Sequence, residues 1–461
     1  MRVTVREDCR LNAASLPPPV MKGLKDELEF VNPEWVRKKK FSRWMGKTPY
    51  MLSFLRLNQS GDLIIPRGFT GPLIGILRDA AVSYELRDET RVLPDVPMTF
   101  TKALRPYQEG ALQAILSRRF GVLQAPTGSG KTVVALAAAA ARKQPTLVIV
   151  HTKELLYQWQ AQAVACLDMP ADEVGLLGDG HSRVGTRLTI AIVNSLYRKV
   201  QEVRDGIGFL VVDECHKTPA RTFTGAVCGF DCGYMLGLSA TPYRSDGLTK
   251  LIHLYLGEQV HQIGHVSLQH EGQIMTGSVC VRPTKFNYAF RGNYQEMINR
   301  LVQNQDRNRI IASDAISEAR KGGGIVLVVS DRKDHCEQLE GMIRASGISS
   351  CLLTGSVPVE DRKRLIDDLR SGGIQVVVAT LQLIGEGFDL PALSSILLAT
   401  PIRFSGRLIQ AIGRILRTHA GKEEARIYDY VDQAPVLRSG FRARRQVYQD
   451  LKLHVDGSWD V

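Results

Sequence analysis

Residues 125–132, with the sequence Ala-Pro-Thr-Gly-Ser-Gly-Lys-Thr, have the composition of a phosphate-binding loop. A short apolar strand precedes them and an alanine-rich helix follows, which is the order of elements that such a loop requires. Gly128 and Gly130 let the backbone curl so that successive N–H groups face an anion. Lys131 can reach the outer phosphates of a nucleotide, and the Thr132 hydroxyl can ligate magnesium. The loop begins with alanine where the motif has glycine, so its backbone there must avoid positive φ.

Two acids end an apolar strand at 210–216, where the sequence is Leu-Val-Val-Asp-Glu-Cys-His. Asp213 can hold magnesium through water, and Glu214 can orient or deprotonate an attacking water. Phosphoryl transfer needs these two roles, a metal clamp on the outer phosphates and a positioned nucleophile. Ser239 and Thr241 follow the next strand and could relay the state of the γ-phosphate site to bound nucleic acid. The sequence therefore predicts nucleotide hydrolysis.

These residues follow strands in a pattern of alternating strands and helices. The alternation predicts a parallel sheet covered on both faces, with ligands beyond the carboxyl ends of its strands. A second set of alternating strands and helices follows later in the chain, so we expect two similar lobes with the nucleotide between them. Between the sets, residues 260–290 are strand-rich and residues 294–321 read as one helix. The first set has strands at 146–151, 188–193, 209–212 and 234–238 and helices over 104–117 and 153–166, and the second has strands at 325–330, 350–353, 375–379 and 395–399.

The region before the phosphate loop contains a cluster of basic and aromatic residues. Between Arg37 and Arg67, eight basic residues accompany one acid, Asp62. Cations neutralise phosphates and aromatic rings stack on bases, so we interpret this region as a small accessory nucleic-acid-binding domain. The alternative is a solvated charged face with Trp35 and Trp44 in a small core. We also expect a helix over 20–30, a β-hairpin formed by 50–57 and 63–65, and a linker over 88–101.

Composition narrows the class of protein. The chain has 461 residues, enough for about three domains, and its hydrophobic content of 44% and charged content of 23% are ordinary for a globular protein. A net charge of +12 favours a polyanionic partner, nucleic acid first, although a basic protein can also be merely soluble. The eight cysteines are scattered, no run spans a bilayer, and no targeting segment is visible. We therefore expect a cytoplasmic protein of a bacterial or phage-type host without a membrane partner.

The ordered set of Gln108, Gly-Ser-Gly-Lys-Thr, Asp-Glu-Cys-His and Ser-Ala-Thr resembles the motor of superfamily 2 helicases, over residues 103–450. Residues 104–108 and 239–247 are most similar to the branch that includes XPB, the restriction-type motors and the phage UvsW-like helicases. The resemblance implies an α/β fold with two tandem RecA-like parallel-sheet lobes and a small N-terminal α+β domain. The expected domains are the accessory domain at 1–98, the ATP-binding lobe at 99–282 and the helicase C-terminal lobe at 283–461.

The resemblance also implies roles for residues in the second lobe. The stretch 380–389 fits the fifth motif, which contacts the nucleic-acid strand and ATP. The stretch 410–417, Gln-Ala-Ile-Gly-Arg-Ile-Leu-Arg, fits the sixth motif, with Arg414 and Arg417 on one helical face. A planar guanidinium matches developing phosphoryl charge, so we assign Arg417 as the arginine finger and Arg414 as the γ-phosphate sensor.

Together these observations predict four groups of residues. ATP is expected to contact Arg105, Gln108, Thr127, Gly128, Ser129, Gly130, Lys131, Thr132, Gly387 and Asp389. Catalysis is assigned to Lys131, Asp213, Glu214, Arg414 and Arg417, with magnesium held by Thr132 and Asp213. Nucleic acid is expected to contact Lys38, Lys39, Lys40, Arg43, Trp44, Thr152, Lys153, Ser195, Ser330, Thr354, Gly355 and Thr380. Coupling is assigned to His216, Ser239, Thr241 and Gln410.

The predicted function is an ATP- and magnesium-dependent motor that moves on nucleic acid. The family branch favours duplex or branched DNA, so branch migration at forks or junctions, in DNA recombination or repair, is the sharper hypothesis. Single-stranded DNA is a possible partner. The alternatives are an RNA-directed ATPase, a motor subunit of a restriction or defence complex whose nuclease lies on another chain, and a binding module with an inactive ATPase.

Overall fold

The computed structural model of the protein describes residues 1–40, 44–217, 220–240, 247–381, 390, 392–402, 405–419 and 421–456. The chain forms two compact units, one made of Met1–Ala125 and Gly130–Ile263, the other of Pro126–Ser129 and Gly264–Val461. Among the described helices, none is both long enough and apolar enough to cross a membrane.

The first unit opens with a five-stranded sheet whose strand order is β5-β6-β2-β1-β7. Strands β1 and β7 run parallel, and the other neighbours are antiparallel. Apolar side chains from alternate strand positions and from helices α1 and α3 form one buried core. The elements are β1 (Arg2–Val5), β2 (Cys9–Asn12), α1 (Pro18–Leu28), β3 (Glu29–Val31), α2 (Pro33–Lys40), β4 (Met51–Ser53), β5 (Arg56–Leu57), β6 (Asp62–Ile65), α3 (Thr70–Asp79) and β7 (Glu85–Asp88).

The predicted hairpin of this region is correct only in part. Strands β5 and β6 pair antiparallel across the Asn58–Gly61 turn, as expected. Strand β4 instead pairs with β3 in a separate two-stranded sheet. The chain changes direction at Phe54, whose N–H donates to the Leu28 carbonyl and whose ring stacks on Phe30 at 5.5 Å. This packing ends β4 before it can continue into β5.

The same unit contains an eight-stranded sheet of order β11-β10-β12-β9-β13-β14-β8-β15. All its neighbours are parallel except β10 and β11. The predicted strands and both predicted helices are confirmed. The elements are α4 (Pro106–Leu116), β8 (Phe120–Gln124), α5 (Lys131–Arg142), β9 (Thr146–Val150), α6 (Lys153–Cys166), β10 (Gly175–Gly178), β11 (His181–Arg183), β12 (Leu188–Ile192), α7 (Val193–Tyr197), α8 (Val200–Val203), β13 (Phe209–Val212), α9 (Ala220–Val227), β14 (Tyr234–Ser239), α10 (Lys250–Leu256) and β15 (Gln259–Gln262).

The N-terminal sheet and the eight-stranded sheet share a hydrophobic core. Leu251 and Leu254 of α10 are buried among the side chains of the N-terminal core. Gly68 lies so close to α10 that a Cβ there would be 2.7 Å from the Leu254 carbonyl oxygen. The buried Arg67 guanidinium donates to the Cys232 carbonyl at 2.9 Å. The N-terminal region is therefore an integral part of this unit.

The stretch predicted as a linker lies along the eight-stranded sheet. The Arg91 guanidinium bonds to Asp205 at 2.8 Å and to Asp231 at 2.9 Å. Isolated bridges join Arg91 to Cys232 and Phe100 to Leu167. The stretch therefore connects the N-terminal region to the region of the eight-stranded sheet, and ion pairs and isolated β-bridges hold it in place at several points.

The second unit contains a seven-stranded, fully parallel sheet of order β18-β19-β17-β20-β21-β16-β22. Its predicted strands are confirmed, and together the two parallel sheets confirm the predicted α/β fold class. The elements are α11 (His265–His270), β16 (Gly277–Pro283), α12 (Tyr294–Val302), α13 (Gln305–Lys321), β17 (Ile325–Ser330), α14 (Lys333–Arg344), β18 (Ser350–Leu353), α15 (Val359–Arg370), β19 (Val376–Thr380), β20 (Leu393–Leu398), α16 (Ser405–Ile415), β21 (Ala425–Val431), α17 (Pro435–Asp450) and β22 (His454–Asp456).

One expectation for the start of this unit was wrong in detail. The single helix predicted over 294–321 is two helices, because the Asn304 side chain accepts the Arg307 N–H at 2.9 Å and begins α13 anew. The region 260–290 also contains helix α11 beside its strands. Strand β16 spans the predicted domain boundary at 282/283 and pairs with β21 and β22.

Charged residues in the second unit are buried in pairs on both sides of β21. Arg307 of α13 bonds Asp432 at 2.8 Å, and both side chains are 1% exposed. Arg444 of α17 bonds Asp429 at 2.7 Å, again with almost no exposure. Buried ion pairs of this kind fix the packing of helices on the sheet, because a single unpaired partner would be costly.

Candidate nucleotide site and nucleic-acid contacts

The phosphate loop connects β8 to α5 as the sequence predicts. The Ala125 N–H donates to the Ser239 carbonyl at 2.9 Å, which ties the loop to the end of β14. Ala125 is not among the residues with positive φ, whereas Gly128 and Gly130 have φ values of 90° and 80°. The Ser129 hydroxyl donates to the Pro126 carbonyl at 2.7 Å. The loop therefore meets the backbone requirement that its alanine imposes.

Gln108 lies against the end of this loop. A Cβ at Gly130 would collide with Nε2 of Gln108, so the residue must be glycine for contact as well as for φ. The Gln108 side-chain oxygen accepts the Arg105 N–H at 3.0 Å, and the Arg105 side chain is exposed beside Tyr107. The structure thus brings Gln108 to the loop and leaves the Arg105 guanidinium at the surface.

Lys131 begins α5 and points back along the loop. Its ammonium donates to the Ala125 carbonyl at 3.0 Å. Lys131 and Thr132 are both half-buried, so neither is sealed from a ligand. Burial raises the pKa of both acids at the end of β13, and the positive charge of Lys131 opposes this effect.

Asp213 is buried, and both of its carboxylate oxygens accept hydrogen bonds. Its Oδ1 accepts the Glu214 N–H at 2.9 Å, and its Oδ2 accepts the indole N–H of Trp159 at 2.8 Å. Burial raises the pKa of Asp213, and the neighbouring charge of Glu214 raises it further. A cation beside this carboxylate would favour its ionised form.

Glu214 is held in an uncommon backbone conformation. Its φ is 46°, in the left-handed region, which costs about 1–3 kcal/mol for a residue other than glycine. Nε2 of His151 lies 3.0 Å from the Glu214 carbonyl, so Nε2 must carry the proton because a carbonyl can only accept. Burial by itself raises the pKa of Glu214, but the charges of Lys131 and His216 outweigh burial and lower the pKa. Glu214 is therefore ionised at neutral pH.

His216 joins this acid to the next strand. Its Nδ1 lies 2.8 Å from the Ser239 hydroxyl and 3.4 Å from Oε2 of Glu214. Burial lowers the pKa of His216 to about 4, against the opposing effect of Glu214. The structure therefore brings together His216 and Ser239, two of the residues assigned to coupling, with a neutral imidazole between hydroxyl and carboxylate.

The donors at this edge of the sheet fit a magnesium ion. Asp213 is buried and Glu214 beside it is half-buried, and Oε2 of Glu214 accepts no hydrogen bond from the described residues. The Thr132 hydroxyl lies in the first turn of α5. Carboxylate, hydroxyl and water oxygens are the ligands that Mg²⁺ prefers. The described residues contain no cluster of three or more acidic, histidine or cysteine side chains that could hold a metal, here or elsewhere, so an ion at this edge would rely on the Thr132 hydroxyl and water besides carboxylate.

The sixth-motif residues extend from the middle of α16 to just beyond its C-terminal end. Gln410 is buried and Arg414 is half-buried within the helix, and Arg417 follows its last turn. The backbone is fixed there, because the Met275 N–H donates to the Leu416 carbonyl at 2.7 Å and the Lys422 ammonium donates to the Arg417 carbonyl at 2.8 Å. Burial lowers the pKa of Lys422 to about 8, and the charge of Arg417 adds to this effect.

The candidate backbone contacts of the second unit lie at or directly after the ends of three neighbouring strands, β17, β18 and β19. Ser330 is buried, and its hydroxyl lies 2.9 Å from Nδ1 of His335. Thr354 is also buried, whereas Gly355 is exposed and Thr380 is half-buried. The Ser330 and Thr354 side chains therefore face inward, and a phosphate contact at these positions would use the backbone.

In the first unit, the candidate contacts follow β9 and β12. The Thr152 hydroxyl accepts the Leu155 N–H at 3.3 Å and caps helix α6, so its side chain has a structural use. Lys153 is exposed in the first turn of α6, and Ser195 is half-buried in α7. These residues share the carboxyl edge of the sheet with the nucleotide-site acids.

The N-terminal basic cluster is at the surface. Trp44 is 88% exposed, so the part of the alternative that placed Trp44 in a small core is wrong. Lys39 lies over the Trp35 ring at 4.9 Å and is exposed, as is Lys40. Lys38 is partly engaged, because its ammonium contacts Glu34 at 3.0 Å. Arg43, Thr241, Gly387 and Asp389 lie outside the described residues.

Sequence reasoning missed Trp159 and Lys422. Trp159 bonds an acid 54 positions away, and Lys422 fixes a helix end across a turn. The only sequence signal for Trp159 is an aromatic residue at an inward position of a helix, which is typical of an ordinary core residue.

The fold and the site together define a nucleotide-hydrolysing α/β protein. Comparison with known families adds two matches. Residues 101–244 match the family described as "Type III restriction enzyme, res subunit". Residues 302–419 match the family described as "Helicase conserved C-terminal domain".

Individual proteins agree with these matches. The chain is 25% identical over 371 residues to the "DNA 3'-5' translocase XPB2" of Sulfurisphaera tokodaii, covering 72% of this chain and 83% of that protein. It is 25% identical over 386 residues to the "Probable helicase D10" of Escherichia phage T5, covering 82% of each. The Pyrococcus furiosus Hef helicase domain has a similar fold, with a TM-score of 0.50 at 14% identity over 74% of this chain and 98% of that one.

The chain belongs to the superfamily 2 helicases and is an ATP-hydrolysing helicase enzyme. This confirms the family resemblance that its motifs indicated.

Proposed function

We propose that this protein is an ATP-driven motor that moves along duplex or branched DNA and remodels forks or junctions. One observation carries the proposal: the phosphate loop, the two acids and Ser239 lie at the carboxyl ends of the neighbouring strands β8, β13 and β14. Thr152 and Ser195, the candidate backbone contacts, follow β9 and β12 in the same sheet. Hydrolysis and strand contact would therefore share one edge of one sheet.

Each residue of the nucleotide site has a distinct task in this proposal. Lys131 and the loop N–H groups bind the phosphates, and Gln108 reads the base edge. Glu214, ionised and aligned by its left-handed backbone, orients the attacking water. Magnesium, held by Thr132 and Asp213, would supply charge neutralisation at the phosphates. The roles of Arg417 as arginine finger and of Arg414 as sensor remain predictions.

DNA is the favoured partner for two reasons. The relative from Sulfurisphaera tokodaii is named a DNA translocase. The chain also carries a net charge of +12, and the exposed Lys39, Lys40 and Trp44 suit a phosphate backbone and its bases. Because the N-terminal core includes Leu251 and Leu254 of α10, this basic cluster would keep a fixed position relative to the nucleotide site.

The test is steady-state ATP hydrolysis with magnesium at fixed salt, without nucleic acid and with single-stranded DNA, duplex DNA, a four-way junction or single-stranded RNA. We expect the duplex or junction to stimulate most. Strongest stimulation by RNA would instead support an RNA-directed ATPase. Removal of magnesium with EDTA should abolish turnover in every arm, and hydrolysis that persists would contradict the assigned metal site.

A further inference from the structure

Helix α6 connects a candidate nucleic-acid contact to the nucleotide-site acid Asp213. The helix begins at Lys153, which is exposed, and Thr152 caps it. Trp159 lies six residues further on, about 9 Å along the helix axis, and is 2% exposed. An α-helix of this length moves as a rigid body, so a displacement at its start would also displace Trp159.

Trp159 bonds directly to the acid. Its indole N–H donates to Oδ2 of Asp213 at 2.8 Å, and the other carboxylate oxygen accepts the Glu214 N–H at 2.9 Å. Hydrogen bonds to a carboxylate are about twice as strong as those between neutral groups. The orientation of the Asp213 carboxylate therefore depends on the position of α6.

A second bond joins the same segment to the second acid. His151, directly before the helix cap, bonds the Glu214 carbonyl at 3.0 Å. The Asp213 N–H donates to the Ile149 carbonyl at 2.9 Å, so β9 and β13 leave the sheet side by side. Movement of residues 151–159 would thus reach Asp213 through Trp159 and Glu214 through His151.

We propose that Trp159 is a positioning residue that transmits nucleic-acid contact at the start of α6 to the Asp213 carboxylate. The inference rests on the proposed function, because it presumes that nucleic acid stimulates hydrolysis. This path from bound nucleic acid to the nucleotide site is separate from the His216–Ser239 pair. It assigns the stimulation of hydrolysis to a buried side chain that contacts Asp213 and is out of reach of the nucleic acid.

The first test is Trp159→Phe, which keeps an aromatic ring and removes the N–H donor. We measure the ratio of turnover with duplex DNA to turnover without it, and the affinity for DNA. The ratio should fall about tenfold, the effect of one hydrogen bond to an ionised group. The affinity for DNA should change by less than about twofold, because residue 159 is buried and therefore out of reach of a strand at the surface.

The matched control is Tyr157→Phe on the same helix. Its hydroxyl bonds Asp179 at 2.9 Å at the surface, away from the acids of the nucleotide site. Removing this hydroxyl should leave the stimulation ratio unchanged. An equal loss of stimulation in both variants would mean that the helix is generally disturbed and would overturn the assignment to Trp159.

A second test leaves the native residue in place. The protein is labelled with 5-fluorotryptophan, and the Trp159 signal is assigned by its absence in Trp159→Phe, or by elimination with Trp35→Phe, Trp44→Phe and Trp459→Phe if that variant does not fold. The ¹⁹F resonance of Trp159 should shift when duplex DNA is added without nucleotide. An unmoved resonance under saturating DNA would overturn the proposal.

The outcomes separate this inference from the proposed function. Full stimulation in Trp159→Phe, or equal losses of stimulated and unstimulated turnover, would refute the coupling role and leave the DNA motor standing. No stimulation of the native protein by any DNA would refute both.

Discussion

Each unit has a serine–histidine pair at the carboxyl edge of its parallel sheet, and the two pairs have different surroundings. Ser239 and His216 lie 2.8 Å apart, and His216 is 3.4 Å from the carboxylate of Glu214. Ser330 and His335 lie 2.9 Å apart, but Nε2 of His335 faces the Asn308 side chain at 3.0 Å.

The surroundings of each pair decide its role. The Ser239–His216 pair belongs to the candidate nucleotide site, whereas the Ser330–His335 pair is part of the packed interior of the second unit. Burial lowers the pKa of both imidazoles, to about 4 for His216 and to about 3 for His335. The difference lies in the neighbours: His216 lies beside Oε2 of Glu214, which accepts no hydrogen bond within the described part of the chain, whereas His335 bonds an amide within the core. The buried charges of the second unit are instead paired with each other, as Arg307 is with Asp432.

The largest effect on ATP turnover is expected at the candidate nucleotide site of the first unit. Lys131 is assigned to bind the phosphates, and its positive charge lowers the pKa of Glu214. Lys131→Ala removes this cation, so ATP turnover should fall by roughly 100-fold or more. The control is Lys143→Asn at the end of the same helix, where the side chain is 59% exposed and an asparagine tolerates the φ of 51°. Substantial turnover in Lys131→Ala would contradict the site assignment.

The next largest effect is expected on protein stability, at a buried ion pair of the second unit. Arg307→Leu leaves the Asp432 carboxylate buried without its ionic partner and should lower the free energy of unfolding by about 3–5 kcal/mol, measured by urea denaturation. Arg309→Leu on the same helix breaks a pair with Asp306 whose side chains are 69% and 83% exposed, and should have little effect. Equal effects would show that the buried pair is not special.

The two serines test the comparison directly. Ser239→Ala should lower DNA-stimulated turnover about tenfold, because it removes the hydroxyl that orients His216 beside Glu214. Ser330→Ala should lower stability by about 1 kcal/mol with a much smaller effect on turnover, because its hydroxyl serves the core. If the two substitutions exchanged their effects, the distinction between the edges would be wrong.

The smallest expected effect concerns the N-terminal basic cluster. Changing Lys39 and Lys40 to alanine should reduce the slope of log affinity for DNA against log salt by up to about 2, since each phosphate contact contributes about 0.9. Lys38→Ala should change the slope less, because Lys38 already contacts Glu34. An unchanged slope in the double variant would show that the cluster is only a solvated face.

The sequence predicted the features that depend on neighbouring residues. Strand, loop and helix around Lys131 follow from local composition, and Gly128 and Gly130 have the positive φ expected of them. The bond from Trp159 to Asp213 was not predictable, because it depends on how α6 lies against the sheet. The inward direction of Ser330 likewise depends on His335 and its packing.

The arrangement of the N-terminal region also could not be predicted from local sequence patterns. A hairpin was predictable from its turn, but the pairing of β4 with β3 depends on Phe54 stacking on Phe30. The burial of Arg67 against Cys232 joins residues 165 positions apart. Contacts over such separations leave no periodic signal in the sequence.

The most direct test of the central claim is ATP-driven displacement of a third strand from a DNA triplex. A motor that moves along duplex DNA must strip the third strand when it arrives, without any need to separate the duplex. We predict displacement by the native protein with ATP and magnesium, and none by Lys131→Ala. Hydrolysis stimulated by duplex DNA without displacement of the third strand would contradict the account.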